Sequence, residues 1–524
     1  MGGRSGTFGA STRLGLVALA LAGAMAVSPG IASAENATAP KPKSGGTVTF
    51  SYMSEPASFL PDAGLGAQVG LGGSERFAIY DALAMLTTKG DVEYRLAESM
   101  TSTTNDTVWT VKLRKGRVFS DGTPVDASAV QYNWSRIADP AQRSPSAPIA
   151  QGIASMNVVD PTTLEVTLKE PNAQFPELIG QSSLTFIASP TAWEAAGQAF
   201  GSSPVGAGPY VFKEWQRGAQ LTLERNPKYK GKTHLDQIVV KYIPDETQRL
   251  NTLTTGGVDI DLTGDLQAAT SAKQQPNLAD FQVAQSGGIN IFFNFTKPPF
   301  DDLRARQAIA YAFDPKAMDD ALNGGAAMLA PNLFLKDSEF FADIGQPKPN
   351  KKKAQDLFDK FAAEGKPIEF SVQTSQTFQK IAEWFQARLS SFKNVKMNVE
   401  PVSATQQTTN WQTGNFTLAF SSVPRFIDPA PALSNALETG GVSNYGKYSN
   451  PEVDAAFKKA RTSNEVAARK DAYDAVQRIQ VKDLPSFFFQ HVVVHILYNK
   501  SKLQGVAAVG DGIPRWDRMS TKGS

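Results

Sequence analysis

The sequence predicts an α/β protein of two lobes joined by two crossing strands, and three observations carry that prediction. The chain has 524 residues, more than one ordinary hydrophobic core organises, so it should divide. Between Thr107 and Val240 its apolar residues alternate in short runs, the pattern of antiparallel strands with one solvated face. After Asn290 helical spacing takes over. There Ile368/Phe370/Val372, the helical face Phe378, Ile381, Phe385, Leu389 and Phe392, and Val395/Met397/Val399 spell a βαβ unit. Such a unit implies parallel pairing and a right-handed crossover.

Composition narrows the class. A hydrophobic fraction of 41 % with 10 % aromatics fits a globular chain. Lys and Arg number 52 against 50 Asp and Glu, a balance that gives no basis for binding nucleic acid or an anionic membrane. With no cysteine, disulfides, thiolate catalysis, cysteine metal sites and a lipid-bearing N-terminal Cys are excluded.

In chain order, residues 1–34 read as a secretory signal. Arg4 and Arg13 are its basic front, Leu14 to Val27 its apolar run, and Ala32-Ser33-Ala34 its exit. Residues 35–44 read as a disordered leader. The mature protein is expected outside the cytoplasm, soluble and not anchored through a Cys-linked lipid. Val48, Phe50 and Tyr52 then share one strand face. The glycine-dense stretch Gly64 to Gly73 fits neither G-x-G-x-x-G nor a phosphate-binding loop. Its continuation, Ser74-Glu75-Arg76, either lines a cleft or makes a surface turn. Val108 to Arg114 alternates as a strand. Asp126 caps a helix whose Val130 and Trp134 share a face. Leu164/Val166/Leu168, Leu221/Leu223 and Ile238/Val240 are further strands. Asp301-Asp302 precedes a helix with Ile309 and Phe313, Lys353 to Ala363 carries Ala354, Leu357, Phe358 and Phe361 at helical spacing, and Asn450-Pro451 opens another helix. Phe487 to Tyr498 is a β-rich run. The chain is expected to cross between lobes at Ser286 to Asn294 and to return near Phe487 to Val494, a hinge of few residues.

The stretch Leu96 to Trp134, centred on Leu113 to Trp134, resembles the signature of extracytoplasmic solute-binding proteins of the peptide/nickel type. Pro204 to Tyr210, Leu223 to Pro227, Ile243 to Leu250, Asn294 to Asp302 and Tyr448 to Asp454 continue the resemblance in register across nearly all of the mature chain. It implies a large periplasmic-binding-protein-like fold of type II. Lobe I would span 45–289 with a third subdomain inserted at about 75–195, lobe II 290–486, and 487–524 would return to lobe I. It further implies a monomer that hands a small-molecule ligand to an ABC permease, without catalysis and without a cofactor.

Residue chemistry agrees that the chain is not an enzyme. Of three histidines, His491 and His495 share a strand face without a zincin glutamate, so no metal site is expected. Ser390-Ser391-Phe392-Lys393 spells S-x-x-K at a helix end with no K-T-G partner, and there is no G-x-S-x-G. Ligand contacts are expected instead in Trp411 to Pro429, where a strand ends in a Pro-flanked loop with one arginine, Arg425. In peptide-binding members of the family that the chain resembles, an aspartate three residues before an Asp-Pro or Glu-Pro pair holds the peptide's amino group. Here the pair is Asp428-Pro429 and the earlier residue is Arg425, so the charge is reversed. The expected ligand is a small organic acid with an apolar or aromatic body, gripped by Arg425 and packed on Trp411, Phe420 or Phe426. Arg76 is a second carboxylate candidate, beside Ser74. Alternatives in order are an oligopeptide or dipeptide, a nickel chelate and, from another class, a secreted hydrolase.

Overall fold

The computed structural model describes residues 44–61, 73–423 and 425–522. The expected signal segment, most of the leader and residues 64–72 of the glycine-dense stretch lie outside them.

A nine-stranded sheet runs through the molecule. Its strands are β1 (Thr47–Tyr52), β2 (Tyr210–Gln216), β3 (Gln220–Arg225), β4 (Gln237–Tyr242), β5 (Ile260–Thr263), β6 (Leu278–Phe293), β7 (Leu418–Ser421), β8 (Arg425–Phe426) and β9 (Ser486–Asn499). Their order is β7-β6-β9-β5-β1-β4-β3-β2, and β8 joins the side of β6. β1 forms where alternation places it, with Val48, Phe50 and Tyr52 all buried. Its neighbours β4 and β5 both run parallel to it, so the sheet is mixed rather than antiparallel. Ser51 on its other face is buried as well, and its hydroxyl donates to the Asp261 carboxylate at 2.6 Å.

The antiparallel pattern expected after Thr107 appears as a separate four-stranded sheet of Ala97–Thr104, Val108–Leu113, Thr163–Leu168 and Ile153–Asp160. Helix Ala127–Ala138 packs on it. Asp126 caps the helix by accepting from the Ala129 amide at 2.9 Å. Trp134 is fully buried and satisfies its indole N–H on the Leu184 carbonyl at 2.7 Å.

The βαβ unit is as expected. Strands Ile368–Thr374 and Val395–Pro401 pair in parallel around helix Gln376–Leu389. Phe392 lies beyond that helix and turns its ring onto Phe358 at 5.6 Å. The core around this unit centres on Phe313, whose ring meets those of Trp384, Phe385, Phe487 and Phe489.

The two expected crossings are one ribbon. β6 and β9 pair antiparallel from Leu278/Asn499 to Phe292/Ser486. Ile496 of β9 lies in the core built on β1, whereas Phe487 and Phe489 lie in the core of the βαβ unit. The register slips between Gln285 and Asn290. At that slip Gly288 has φ +124°, and a Cβ on it would sit 2.3 Å from the Gln490 carbonyl oxygen, so only glycine fits.

Candidate ligand-binding cleft

β8 pairs with β6 at Ser286 and Gly287, beside the register slip. Successive strand residues face opposite ways. Phe426 accordingly turns into a core and packs 5.4 Å from the Phe334 ring, leaving 1 % of its surface exposed. Arg425 turns the other way, into a cleft of about 610 Å³.

Four separated stretches line that cleft: 77–86, 144–181, 408–445 and 509–513. Apolar walls come from Phe77, Met85, Leu86, Ile427 and Ile513. Trp411, in the last turn of helix Ala404–Gln412, meets Phe292 edge-on at 5.3 Å and Tyr445 at 5.8 Å. That contact leaves two half-buried aromatic surfaces on the cleft. Among the described residues two charged groups face it, Arg425 and Asp511. Among the described residues the Arg425 guanidinium has no hydrogen-bond or ion-pair partner. Asp511 keeps some exposure, yet burial pushes its carboxyl up while the Arg425 charge opposes the push. Gln181, Thr408, Asn435 and Ser443 add uncharged polar positions, and aromatic and apolar walls with placed polar groups are the usual build of a small-molecule site.

Of the residues expected to touch ligand, Arg425 and Trp411 line this cleft together. Phe420 does not, because its strand is covered on both faces and its ring lies in the core beside Phe385 and Phe489. Phe426 is excluded by strand alternation, as above. Ser74 and Arg76 belong neither to this cleft nor to a surface turn. They sit in helix Gly73–Tyr80, which is buried along its length. Ser74 Oγ donates to Glu75 at 2.8 Å, and Arg76 donates to the Ser58 carbonyl at 2.6 Å. Phe77 of the same helix reaches the cleft instead. Asp511 and Tyr445 were not anticipated. The only local signal at Asp511 is Gly510-Asp511-Gly512, which marks a turn.

The remaining motifs are accounted for locally. His491 Nδ1 lies 2.9 Å from the Gly287 carbonyl, and His495 Nδ1 lies 2.9 Å from the Asp280 carboxylate. Among the described residues no group of three His, Asp or Glu could hold a metal. The Ser390 hydroxyl donates to the Ala387 carbonyl at 2.6 Å. Asp428 of the Asp-Pro pair is buried in an ion pair with Arg469 at 2.8 Å, which makes it a structural residue.

A second, more open hollow of about 900 Å³ lies where helix Phe175–Gly180 meets segment 428–469. Three hydrogen bonds hold that meeting: Ala173 N–H to the Arg461 carbonyl at 2.7 Å, Gln174 Nε2 to Ser463 at 2.9 Å and Gln181 Nε2 to Ala430 at 2.7 Å. Glu177 faces Asp428, Glu339 and Arg469 there, with Tyr94 on its own side. Burial pushes its carboxyl up to about 7, with Asp428 and Glu339 adding to the push. The folded state therefore binds this proton more tightly than the unfolded chain. The stability tied to Glu177 falls as pH rises from the ordinary glutamate range to about 7, then levels off. Glu177→Gln is expected to match wild type in melting temperature at pH 4 and to exceed it at pH 8. Equal melting at both pH values would remove the effect.

The model of bacterial extracellular solute-binding proteins, family 5 (middle region), matches residues 91–444. Glutathione-binding protein GsiB of Escherichia coli K12 is 28 % identical over 435 residues, covering 78 % of this chain and 82 % of that one. Two solved structures superpose over nearly their whole length. The periplasmic binding protein DppA of Helicobacter pylori, in complex with peptide STSA, has a TM-score of 0.79 at 23 % identity and covers 92 % of this chain and 99 % of its own. The binding protein AgaA of A. tumefacien R10, in complex with agropinic acid, has a TM-score of 0.77 at 22 % identity, covering 91 % and 99 %.

Proposed function

Since this chain belongs to the family 5 bacterial extracellular solute-binding proteins, the peptide/nickel-type substrate-binding components of ABC importers, we propose that its own cargo is a small organic acid held by Arg425. Its fold is the mixed α/β type II fold of periplasmic binding proteins. The observation that carries the proposal is one half-buried guanidinium without a partner among the described residues, set in an aromatic-sided cleft. A guanidinium fork matches a carboxylate bidentately, and in a partly dry cleft that charge-assisted contact strengthens. A ligand ammonium at the same place would be repelled.

The division into lobes at 45–289 plus 487–524 and at 290–486, with 75–195 inserted, makes the β6–β9 ribbon the hinge. The slip at Gln285 to Asn290 is its natural bending point, because the ladder is interrupted there. The cargo binds Arg425, Trp411 and Tyr445, the walls at Phe77 and Asp511 close over it, and the closed form docks on the permease. Ligand drives closure only through higher affinity for the closed form. Capture and release involve no bond making, and the protein acts as a monomer outside the cytoplasm. AgaA's agropinic acid supports an acidic cargo. DppA's peptide keeps a peptide cargo as the second reading.

Native mass spectrometry of the protein purified from its own host tests the proposal. The expected result is one co-purifying carboxylic acid, lost in Arg425→Ala. A bound compound without a carboxylate would overturn it.

A further inference from the structure

Building on the reading that Arg425 takes a carboxylate, we infer that Asp511 is the second charged contact and that the cargo is amphoteric: an acid whose other end carries a cationic nitrogen donor. Asp511 sits at the tip of a hairpin whose strands Ala508–Val509 and Ile513–Pro514 pair antiparallel. The protein holds the main chain of this tip from several directions. Gly510 N–H donates to the Leu86 carbonyl at 2.8 Å, and Gln285 Nε2 donates to the Asp511 carbonyl at 3.2 Å. Gly512, at φ +98°, lies so close to Val494 that a Cβ would meet its side chain at 2.7 Å. The side chain is treated differently. Among the described residues no donor engages the Asp511 carboxylate, although that carboxylate lines the cleft.

Arg425 is the cleft's other charge without a hydrogen-bond or ion-pair partner among the described residues. It feels Asp511 electrostatically, but the two do not form an ion pair among the described residues. β8 is tied to β6 by its ladder and the hairpin tip is tied to Leu86 and Gln285, so each charge is held on its own wall of the cleft. A cleft that presents one cation and one anion, apart and unmatched, is complementary to a guest with the opposite pair. An acid with no cationic end would place its carboxylate in the same cleft as that of Asp511. The like charges would offset part of what Arg425 contributes. An amphoteric guest satisfies both groups, with its apolar body against Trp411, Tyr445 and Ile513. In this arrangement Arg425 provides attraction and Asp511 provides discrimination against plain acids.

A charge-deletion series tests it by calorimetry: 4-(aminomethyl)benzoate, 4-methylbenzoate and 4-methylbenzylamine against wild type and Asp511→Asn. Wild type is expected to bind the aminomethyl acid at least tenfold more tightly than the plain acid, and Asp511→Asn to erase that preference. Because the Asp511 carboxylate makes no hydrogen bond among the described residues, the variant should fold, and an unchanged melting temperature confirms it. If wild type binds both acids equally and the amine weakly, Asp511 is not the second contact and the Arg425 reading stands. If the amine binds as tightly as the aminomethyl acid, the Arg425 reading fails and this inference fails with it. Absence of binding by all three probes at millimolar concentration overturns an amphoteric cargo of this spacing.

Discussion

Arg425→Ala is expected to weaken cargo binding by about 2–5 kcal/mol, roughly thirtyfold to several thousandfold, while leaving the fold intact. The two halves of that expectation have separate causes. Within the fold the guanidinium makes no hydrogen bond or ion pair among the described residues, and the carboxylate it acts on at a distance, Asp511, keeps some exposure, so its removal should change stability by no more than about 1 kcal/mol. In the complex it is the cation that a carboxylate meets, and its loss strands a charge in a partly dry cleft. Arg425→Lys should fall between, since an ammonium keeps the charge and loses the planar fork. Arg425→Asp reverses the charge at this position, and with Asp511 it would put two carboxylates on one cleft. That variant should reject acids and admit cations. Calorimetry with the acid recovered from the native protein decides the matter, and affinity in Arg425→Ala within twofold of wild type would remove Arg425 from the site.

Local chemistry was legible in the sequence and long-range adjacency was not. Asp126, Asp302 and Asn450 cap helices where their side chains and the apolar spacing behind them require it. The βαβ unit could be read because its two strands and helix lie within one short stretch. β1 was placed correctly, but its neighbours lie about two hundred residues away at Gln237 and Ile260, and alternation reports a face rather than a partner. The long β6–β9 pairing was read as two straps for the same reason. At the site, Arg425 and Trp411 stood out as a cation and a large aromatic around one short strand. Strand alternation sets Phe426 opposite Arg425, so an Arg425 that faces the cleft implies a Phe426 that faces the core. Asp511 was out of reach of the sequence, because a glycine-flanked aspartate marks any turn. Only the fold brings it to Arg425.

The largest expected loss of stability lies at Arg95, which joins the segment behind Phe77 to the one that carries Asp511. Its Nε lies 2.8 Å from Asp81, one terminal nitrogen 2.7 Å from Asp517, and the other donates to the Tyr229 hydroxyl at 2.7 Å. Arg515 pairs with Asp517 at 2.9 Å and with Glu93 at 2.8 Å, closing the network. Burial pushes Asp81 up despite the Arg95 charge. Asp517 is half-buried, and although that burial raises its carboxyl, hydrogen bonds from Arg515 and the charge of Arg95 hold it well below the usual range. Asp517 therefore contributes stability above the ordinary aspartate range, and that contribution fades as pH falls through its lowered value. Arg95→Met removes the shared cation and leaves Asp81 buried without its partner, at an expected cost of about 3–5 kcal/mol. Adding Asp81→Leu should recover part of that loss, because the stranded charge goes too, and the double-mutant cycle measures the coupling. Denaturant midpoints of wild type, both single variants and the double variant at pH 7 check this. A loss below about 1 kcal/mol in Arg95→Met, or additive effects in the double variant, would mean that the network is solvated and does not hold the Asp511 hairpin in place.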